Sequence, residues 1–195
     1  NDIHGTPCAG VIAAAAKSGG AVGVAPGCRV LPVKVFHADE LAADEHVANA
    51  MRYAARHAAI LSCSWSSGYS SDLQQALEDI GAGGRGGLGT LVFCAAGNDH
   101  GSPVSYPARD PNAIAVGAST DDGELAGYSN VGREIAFVAP SSGGVRGIFT
   151  TDVSYPNRGF NTGNAGAGGA DGLHTSEFVG TSSATPLAAG IAALV

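Results

Sequence analysis

Apolar residues fall into two alternating patterns along the chain, and this alternation predicts strands separated by helices. Short continuous apolar runs are typical of strands that are buried on both faces of a parallel sheet. Such runs occupy residues 29–36, 60–65, 90–95 and 113–118. Between them, apolar residues spaced three and four apart predict amphipathic helices over residues 44–57 and 72–80. This order of elements predicts an α/β fold.

Two further helices are expected near the ends of the pattern. Residues 4–17 are rich in alanine and stop before a Gly-Gly pair, and residues 181–195 are apolar with Pro186 in an early turn. A glycine-rich stretch at residues 159–172 is expected to be a flexible surface loop. We therefore predict one domain over residues 1–195, an α/β three-layer sandwich with a mainly parallel central sheet.

Composition changes this picture mainly by exclusion. The chain of 195 residues is 45% apolar and 14% charged, as expected of a globular domain. Its formal net charge of −7 disfavours nucleic acid as a partner, because no basic stripe is present to neutralise phosphates. No apolar run approaches the roughly 20 residues that span a bilayer, so we expect no membrane segment in this chain.

The four cysteines do not determine a redox compartment. If all of Cys8, Cys28, Cys63 and Cys94 form disulfides, three pairings are possible and the spacing leaves them open. No C-x-x-C pair or adjacent histidine cluster is present, so we predict no zinc site. Cys63 and Cys94 lie inside apolar runs and are expected to behave as small buried hydrophobic residues.

Three polar segments stand at boundaries between the predicted elements. HGTPCAG begins at His4, AAGN ends at Asn98 after a buried run, and GTSSATP places Ser182 before the last helix. Each segment alone has an ordinary explanation as a helix cap or a turn. Together they supply a base that titrates near neutrality, a hydroxyl that such a base can activate, and an amide that can donate to an oxyanion. The combination indicates nucleophilic catalysis at one site.

These segments resemble the histidine, oxyanion and serine motifs of the subtilisin-like (subtilase) serine proteases. VLPVKVF, SCSWSSG, SYPARDPNAIAVGAS and YSNVGREIAFVAPSSG resemble further stretches of that family, so the resemblance covers nearly the whole chain. It implies the three-layer fold and hydrolysis of peptide bonds in an extended polypeptide substrate through an acyl-enzyme. It also implies a secreted or extracytoplasmic location and no organic cofactor, and we expect a monomer. Relatives often bind calcium for stability, but no loop here has convincing ligand spacing, so we assign no metal ligands and leave structural calcium open.

Carried over residue by residue, the resemblance gives each motif a role. His4 becomes the general base and then the general acid, and Ser182 becomes the nucleophile. Asn98 and the Ser182 backbone N–H donate to the oxyanion. One side of the substrate channel, where backbone groups pair with an extended peptide, is formed by Ser64, Trp65 and Ser66.

Several details lean towards the kexin-like and proteinase K-like branches of the family. Cys8, Cys63 and the PLAAG segment at Pro186 resemble the kexin-like branch, and a cysteine at the position of Cys8 also occurs in proteinase K-like members. The acidic loop that follows SCSW in kexin-like enzymes is absent, so cleavage after paired basic residues is not supported. Ser183 replaces the methionine usual in GTSMATP, and we do not assign it the attack.

The family's triad also contains an aspartate that orients the histidine from an early strand. Asp2 is the sole carboxylate before His4, and at two positions' distance it is not expected to fold back under the imidazole. We expect a fragment of a longer protein with little activity alone, since loss of this aspartate costs subtilisin about 3 × 10⁴ in turnover. The alternatives are a catalytically dead protein-binding domain and an esterase using the same site. An aspartate in a D-S-G or D-T-G context upstream would favour the protease.

Cys8 lies four residues after His4 and therefore on the same face of the predicted helix. We hypothesise a free thiol near the base, so that a mercurial or a bulky alkylating reagent inhibits the enzyme.

Overall fold

A parallel sheet of four strands forms the centre of the protein. The computed structural model describes residues 3–16, 20–38, 40–154 and 159–195. In chain order its elements are α1 (Gly5–Ala13), β1 (Phe36–His37), β2 (Glu40–Leu41), α2 (Asp44–His57), β3 (Ile60–Cys63), α3 (Ser71–Gly87), β4 (Leu91–Ala95), β5 (Ile114–Ser119), β6 (Ile135–Pro140), β7 (Ile148–Thr151), a 3-10 turn (Ala165–Ala167), β8 (His174–Phe178) and α4 (Thr181–Ala192). The sheet order is β3-β4-β5-β6, all parallel, and Cys63 lies opposite Cys94. The predicted α/β fold with a mainly parallel sheet is confirmed.

Helices cover both faces of this sheet. α2 and α3 pack on one face, around a buried cluster that includes Val47, Leu73 and Val92. α4 packs on the opposite face, against Phe93 and Val116. Val92 and Phe93 are neighbours in β4 but belong to different clusters, because successive side chains of a strand point to opposite faces. α1 and the antiparallel β7–β8 pair complete the α4 side of the fold, since α1 packs against both α4 and β7.

The helix α2 begins and ends where the sequence pattern predicts. Its first turn carries Asp44 and Glu45, and its last turn carries Arg56 and His57. This arrangement places negative charge at the positive end of the helix dipole and positive charge at the negative end. Local sequence therefore suffices to define this element.

The helix α1 is shorter than the predicted range of residues 4–17. Ala14 leaves helical geometry, with φ −54° and ψ 128°. The following chain turns back, and N–H groups of residues 23, 24 and 25 donate to the carbonyls of Ala14, Val11 and Ile12. These contacts satisfy the last helical carbonyls from outside the helix, so the helix ends although alanine continues. Residues 17–19 lie outside the described part of the chain.

The strand predicted over residues 29–36 is wrong for most of its length. Only Phe36 enters a strand, as the start of the two-residue β1, which pairs with β2. Among the described residues, no strand pairs with residues 29–34. Val30 and Leu31 are 44% and 41% exposed, although the run is apolar. A strand needs a neighbour to satisfy its backbone, and the described chain places none beside this segment.

The glycine-rich segment predicted as a flexible loop has a defined internal scaffold. Asn161, 2% exposed, donates from Nδ2 to the carbonyls of Gly169 and His174, both at 2.8 Å. Its Oδ1 accepts from the backbone N–H groups of Gly163 and Asn164 at 3.0 and 2.8 Å. One buried carboxamide thus holds both ends of the loop together.

No helix in the described ranges combines the length and apolar character needed to cross a bilayer.

Candidate active site

The site residues predicted from sequence lie at the carboxyl edge of the sheet and at the starts of two helices that face it. Ser64 follows β3 directly, and Asn98 comes shortly after β4. Carboxyl ends of parallel strands share one edge of a sheet, where open α/β folds place their ligands. His4 immediately precedes α1, and Ser182 is the second residue of α4.

A sharp turn carries Ser182 from β8 into α4. Gly180 precedes the helix with φ 85° and ψ 177°, a conformation that strongly favours glycine. A Cβ at this position would also lie 3.0 Å from Nδ2 of Asn98. The turn therefore requires the absence of a side chain at Gly180 so that the asparagine can approach the start of α4.

Asn98 is oriented by the residue that precedes Ser182. Its Oδ1 accepts hydrogen bonds from the Thr181 backbone N–H at 2.8 Å and from the Thr181 hydroxyl at 3.0 Å. The Thr181 hydroxyl in turn accepts from the Gly97 N–H at 3.2 Å. Because Oδ1 is occupied, Nδ2 is the donor that Asn98 presents outwards, and the Asn98 residue itself is exposed.

The backbone carbonyl of Ser182 joins the turn to the end of β3. In a regular helix this oxygen would accept from the residue four positions later, but Pro186 has no N–H. The Ser64 hydroxyl donates to it instead at 2.9 Å, and the Cys8 thiol lies 3.9 Å away. The Ser182 hydroxyl is directed to the Ser64 carbonyl at 3.5 Å.

The His4 imidazole is partly buried between an aromatic ring and a thiol. The Phe178 ring packs edge-on against it, with centroids 5.4 Å apart at 72°. Nδ1 of the same ring lies 3.7 Å from Sγ of Cys8. Burial lowers the pKa of His4 from its ordinary value of 6.5 and so favours the neutral ring, which can accept a proton.

The structure brings these residues into one region, but it does not form every hydrogen bond that a catalytic site of this kind uses. Cys8 touches both His4 and the Ser182 carbonyl, but no hydrogen bond joins the imidazole to the Ser182 hydroxyl. In the described part of the chain, no aspartate or glutamate bonds to His4. Asp2 lies outside the described residues.

A small cavity of about 180 Å³ opens between the ends of β3 and β4 beside Ser182. Trp65 and Ser66 form one wall, and Gly97 and Asn98 form the other. Ser64 is not among its lining residues, and its hydroxyl donates to the Ser182 carbonyl. The cavity is large enough for one side chain of a bound peptide.

Ser183 lies beneath the turn. It is 0% exposed, and its hydroxyl contacts the Ser141 hydroxyl at 2.6 Å and donates to the Gly180 carbonyl at 3.0 Å. These contacts point it into the protein, away from the cavity beside Ser182.

Sequence reasoning missed Thr181 and the anchoring role of the Ser64 hydroxyl. A signal for the second was present, because Pro186 leaves the carbonyl of Ser182 without its helical donor. Nothing local indicates that a residue from the end of β3 supplies the replacement. Metal ligands are a separate question: within the described ranges, no three or more His, Cys, Asp or Glu side chains converge on a point. All four cysteines are free thiols.

The protein is thus a three-layer α/β protein in which a histidine, a serine and an asparagine lie together at the carboxyl edge of the sheet. The model of the subtilase family matches residues 1–195, and the chain belongs to that family.

Individual relatives agree with this assignment. The chain is 38% identical to Subtilisin BL of Lederbergia lenta, over 98% of this chain and 62% of that protein. It is 34% identical to a calcium-dependent protease of Trichormus variabilis, over 100% of this chain and 32% of that protein. Among solved structures, the prenylagaramide maturation protease PagA superposes with a TM-score of 0.76 at 27% identity, over 98% of this chain and 62% of PagA. The chain thus spans less than two thirds of each of these relatives.

Proposed function

We propose that this chain carries the catalytic site of a serine endopeptidase that cleaves extended polypeptides through an acyl-enzyme. The observation that carries the proposal is the clamp on Asn98: Thr181 occupies its Oδ1 at 2.8 and 3.0 Å and leaves its amide N–H groups for a ligand beside Ser182. A donor fixed in this way stabilises an oxyanion without reorganising during the reaction.

The chemistry divides among the named groups as follows. The Ser182 hydroxyl attacks the peptide carbonyl, and His4 takes its proton. The resulting oxyanion accepts hydrogen bonds from Asn98 Nδ2 and the Ser182 backbone N–H. His4 then gives its proton to the leaving amine as the C–N bond breaks, and water hydrolyses the ester by the reverse sequence. The backbone of Ser64, Trp65 and Ser66 pairs with the peptide, and the adjacent cavity receives one side chain.

The orienting carboxylate of this site is proposed to come from a segment beyond the described residues. A cleft of about 2070 Å³ opens beside His4, lined by residues 28–36 on one side and by β3 on the other. β3 ends the sheet there, so its outer backbone edge has no partner strand in the described chain. The Ser62 hydroxyl on β3 is buried without a hydrogen-bond partner, a state that costs about 1–3 kcal/mol. An additional strand in the cleft would pair this edge and bring a carboxylate towards Nδ1 of His4.

The remaining expectations follow from the same family. We propose an extracytoplasmic monomer that needs no organic cofactor and does not bind nucleic acid. One relative is named a calcium-dependent protease; the steps proposed for this chain use no metal.

A fluorophosphonate probe tests the proposal on the complete protein. We expect covalent labelling at Ser182, found by peptide mass spectrometry, and loss of labelling in Ser182→Ala. Absence of labelling in the wild-type protein would favour a protein-binding domain. Hydrolysis of a peptide ester without hydrolysis of the matching amide would favour an esterase.

A further inference from the structure

Asn130 is a buried carboxamide behind the segment that carries Asn98. It lies in the connection between β5 and β6 and is 0% exposed. None of the steps assigned above uses it. Its role is inferred here on the basis of the proposed function, since it concerns the same oxyanion donor.

One residue holds the backbone on both sides of Asn98. The Asn130 N–H donates to the Gly97 carbonyl at 3.0 Å. The Asp99 N–H donates to Oδ1 of Asn130 at 2.7 Å. The two residues that flank Asn98 are therefore bonded to a single buried residue, whereas Asn98 itself remains exposed.

The amide group of Asn130 also bonds to later residues of the loop that follows β4, residues 97–105. Nδ2 lies 3.1 Å from Oδ2 of Asp99, 3.1 Å from the Pro103 carbonyl and 3.2 Å from the Ser105 hydroxyl. Two amide hydrogens serve these three acceptors, so both polar atoms of the buried side chain are satisfied. A buried group with this many partners restricts the loop to one arrangement.

The backbone near Asn130 supports the same segment further along. The N–H groups of His100 and Gly101 donate to the carbonyls of Tyr128 and Ser129 at 3.1 and 3.2 Å. Gly97 has φ 108°, and a Cβ there would collide with the carboxamide of Asn130. The loop thus lies directly on Asn130, with no space for a side chain between them.

We propose that Asn130 is a positioning residue for the oxyanion donor. Thr181 fixes the side chain of Asn98 from the α4 side, and Asn130 fixes its backbone from the β6 side. Both are needed because a donor stabilises the transition state only where the oxyanion will form. A displacement of about 1 Å in such a group can cost around a hundredfold in rate.

A double-mutant cycle in the complete protein tests this role. The cycle compares wild type, Asn98→Ala, Asn130→Ala and the double variant by kcat and KM on a peptide amide and by the affinity of a peptide aldehyde, which forms a tetrahedral adduct. We expect Asn98→Ala to lower kcat about 10²–10³-fold. Asn130→Ala should lower kcat and aldehyde affinity about tenfold with KM within about threefold, because only transition-state binding is affected. In the Asn98→Ala background it should have almost no further effect.

Asn161→Ala is the matched control, because Asn161 is also a buried carboxamide with four hydrogen bonds to a loop. We expect it to lower stability but to leave kcat within about threefold of wild type. Asn130→Ser replaces the carboxamide with a smaller polar hydroxyl and enters the same cycle, so poor folding of the alanine variant does not decide the result.

The outcomes separate the two proposals. If the effects of Asn98→Ala and Asn130→Ala multiply, or if Asn161→Ala lowers kcat as much as Asn130→Ala, the positioning role is overturned while the protease remains. If wild-type protein neither cleaves the amide nor reacts with a fluorophosphonate, the proposed function fails, and the role of Asn130 fails with it.

Discussion

The two halves of the candidate site differ in how completely the described residues build them. On the nucleophile side, the Thr181 clamp holds Asn98 and the Ser64 hydroxyl binds the Ser182 carbonyl at 2.9 Å. On the base side, the Cys8 thiol at 3.7 Å is the one polar partner of Nδ1 of His4 among the described residues, and a cleft of about 2070 Å³ opens beside the ring.

The difference follows from where the supporting elements lie. The nucleophile side depends on α4 and on the ends of β3 and β4. The two strands belong to the described sheet, and α4 packs against it. The base side faces the outer edge of β3, which has no partner strand among the described residues. We infer that oxyanion and nucleophile geometry is set by the described chain, whereas the orientation of the base depends on a further element. This contrast predicts different effects for substitutions on the two sides.

The largest effect is expected from the two adjacent serines on the nucleophile side. Ser182→Ala should lower kcat by about 10⁶, as removal of the nucleophile does in subtilisin. Ser183→Ala should leave kcat within about tenfold and lower stability by about 1 kcal/mol, because a buried hydroxyl loses its hydrogen bonds. Fluorophosphonate labelling, peptide kinetics and thermal denaturation of both variants make the comparison. Labelling that survives in Ser182→Ala but not in Ser183→Ala would reverse the assignment.

The next effect belongs to the base side and to the proposed carboxylate. If an aspartate of the complete protein reaches His4, its replacement by asparagine should lower kcat by about 10⁴. The carboxylate raises the pKa of His4, while burial lowers it from 6.5. The base acts only when its imidazole is neutral. Replacing the aspartate should therefore shift the acid limb of the kcat/KM profile to lower pH, with a midpoint below 6.5.

This pH profile has a clear contrary result. An acid limb that does not move when the aspartate is replaced would show that the carboxylate does not contact His4. A complete protein with no aspartate in a D-S-G or D-T-G context before the histidine motif would remove the proposal altogether.

A smaller effect is expected from Thr181, which bonds to both Asn98 and Gly97. Thr181→Val keeps the shape of a side chain that is 0% exposed but loses its bonds to Asn98 and Gly97. We expect kcat to fall about tenfold with little change in KM, because the Thr181 N–H still holds Asn98. The unpaired Gly97 N–H should cost about 1–3 kcal/mol of stability. Thr181→Ser retains the hydroxyl and serves as the control; equal losses of kcat in both variants would contradict the clamp.

The sequence predicts best those elements that are determined by the residues within them. The helix α2 has the predicted bounds because its apolar spacing and end charges all lie within it. β4 is a continuous apolar run and forms a strand at Leu91–Ala95. The predicted site motifs also occur where elements begin or end, since glycine, asparagine and serine favour such positions.

Composition and periodicity do not reveal which specific contacts a segment makes in the folded chain. Residues 29–36 have the composition of a strand, but a strand depends on a neighbour that the run itself does not encode. The loop of residues 159–172 is glycine-rich, and nothing in its composition indicates the four hydrogen bonds that Asn161 makes to it. Asn130 was overlooked for the same reason, because a single buried asparagine has no sequence signature.

The smallest effect on catalysis is expected from Cys8, on the base side. Its thiol is close to His4, but burial raises its pKa to about 11, an increase only partly offset by the hydrogen bond with Ser64. Cys8→Ala should therefore change kcat less than about threefold, since the thiol has no assigned step. Iodoacetamide should react slowly at pH 7 and about tenfold faster for each pH unit towards 11, because the thiolate is the nucleophile.

Inhibition is the consequence of adding bulk at this position, not of losing the thiol. A mercurial on Sγ would occupy the space 3.7 Å from Nδ1 of His4 and obstruct the imidazole. We expect the wild-type protein and Cys28→Ala to lose activity with the reagent, whereas Cys8→Ala resists it. Cys28 is a suitable control because it is also a free, half-buried thiol. If all three proteins are inhibited equally, the reagent acts elsewhere and the base side of the site is less confined than the contact between Cys8 and His4 indicates.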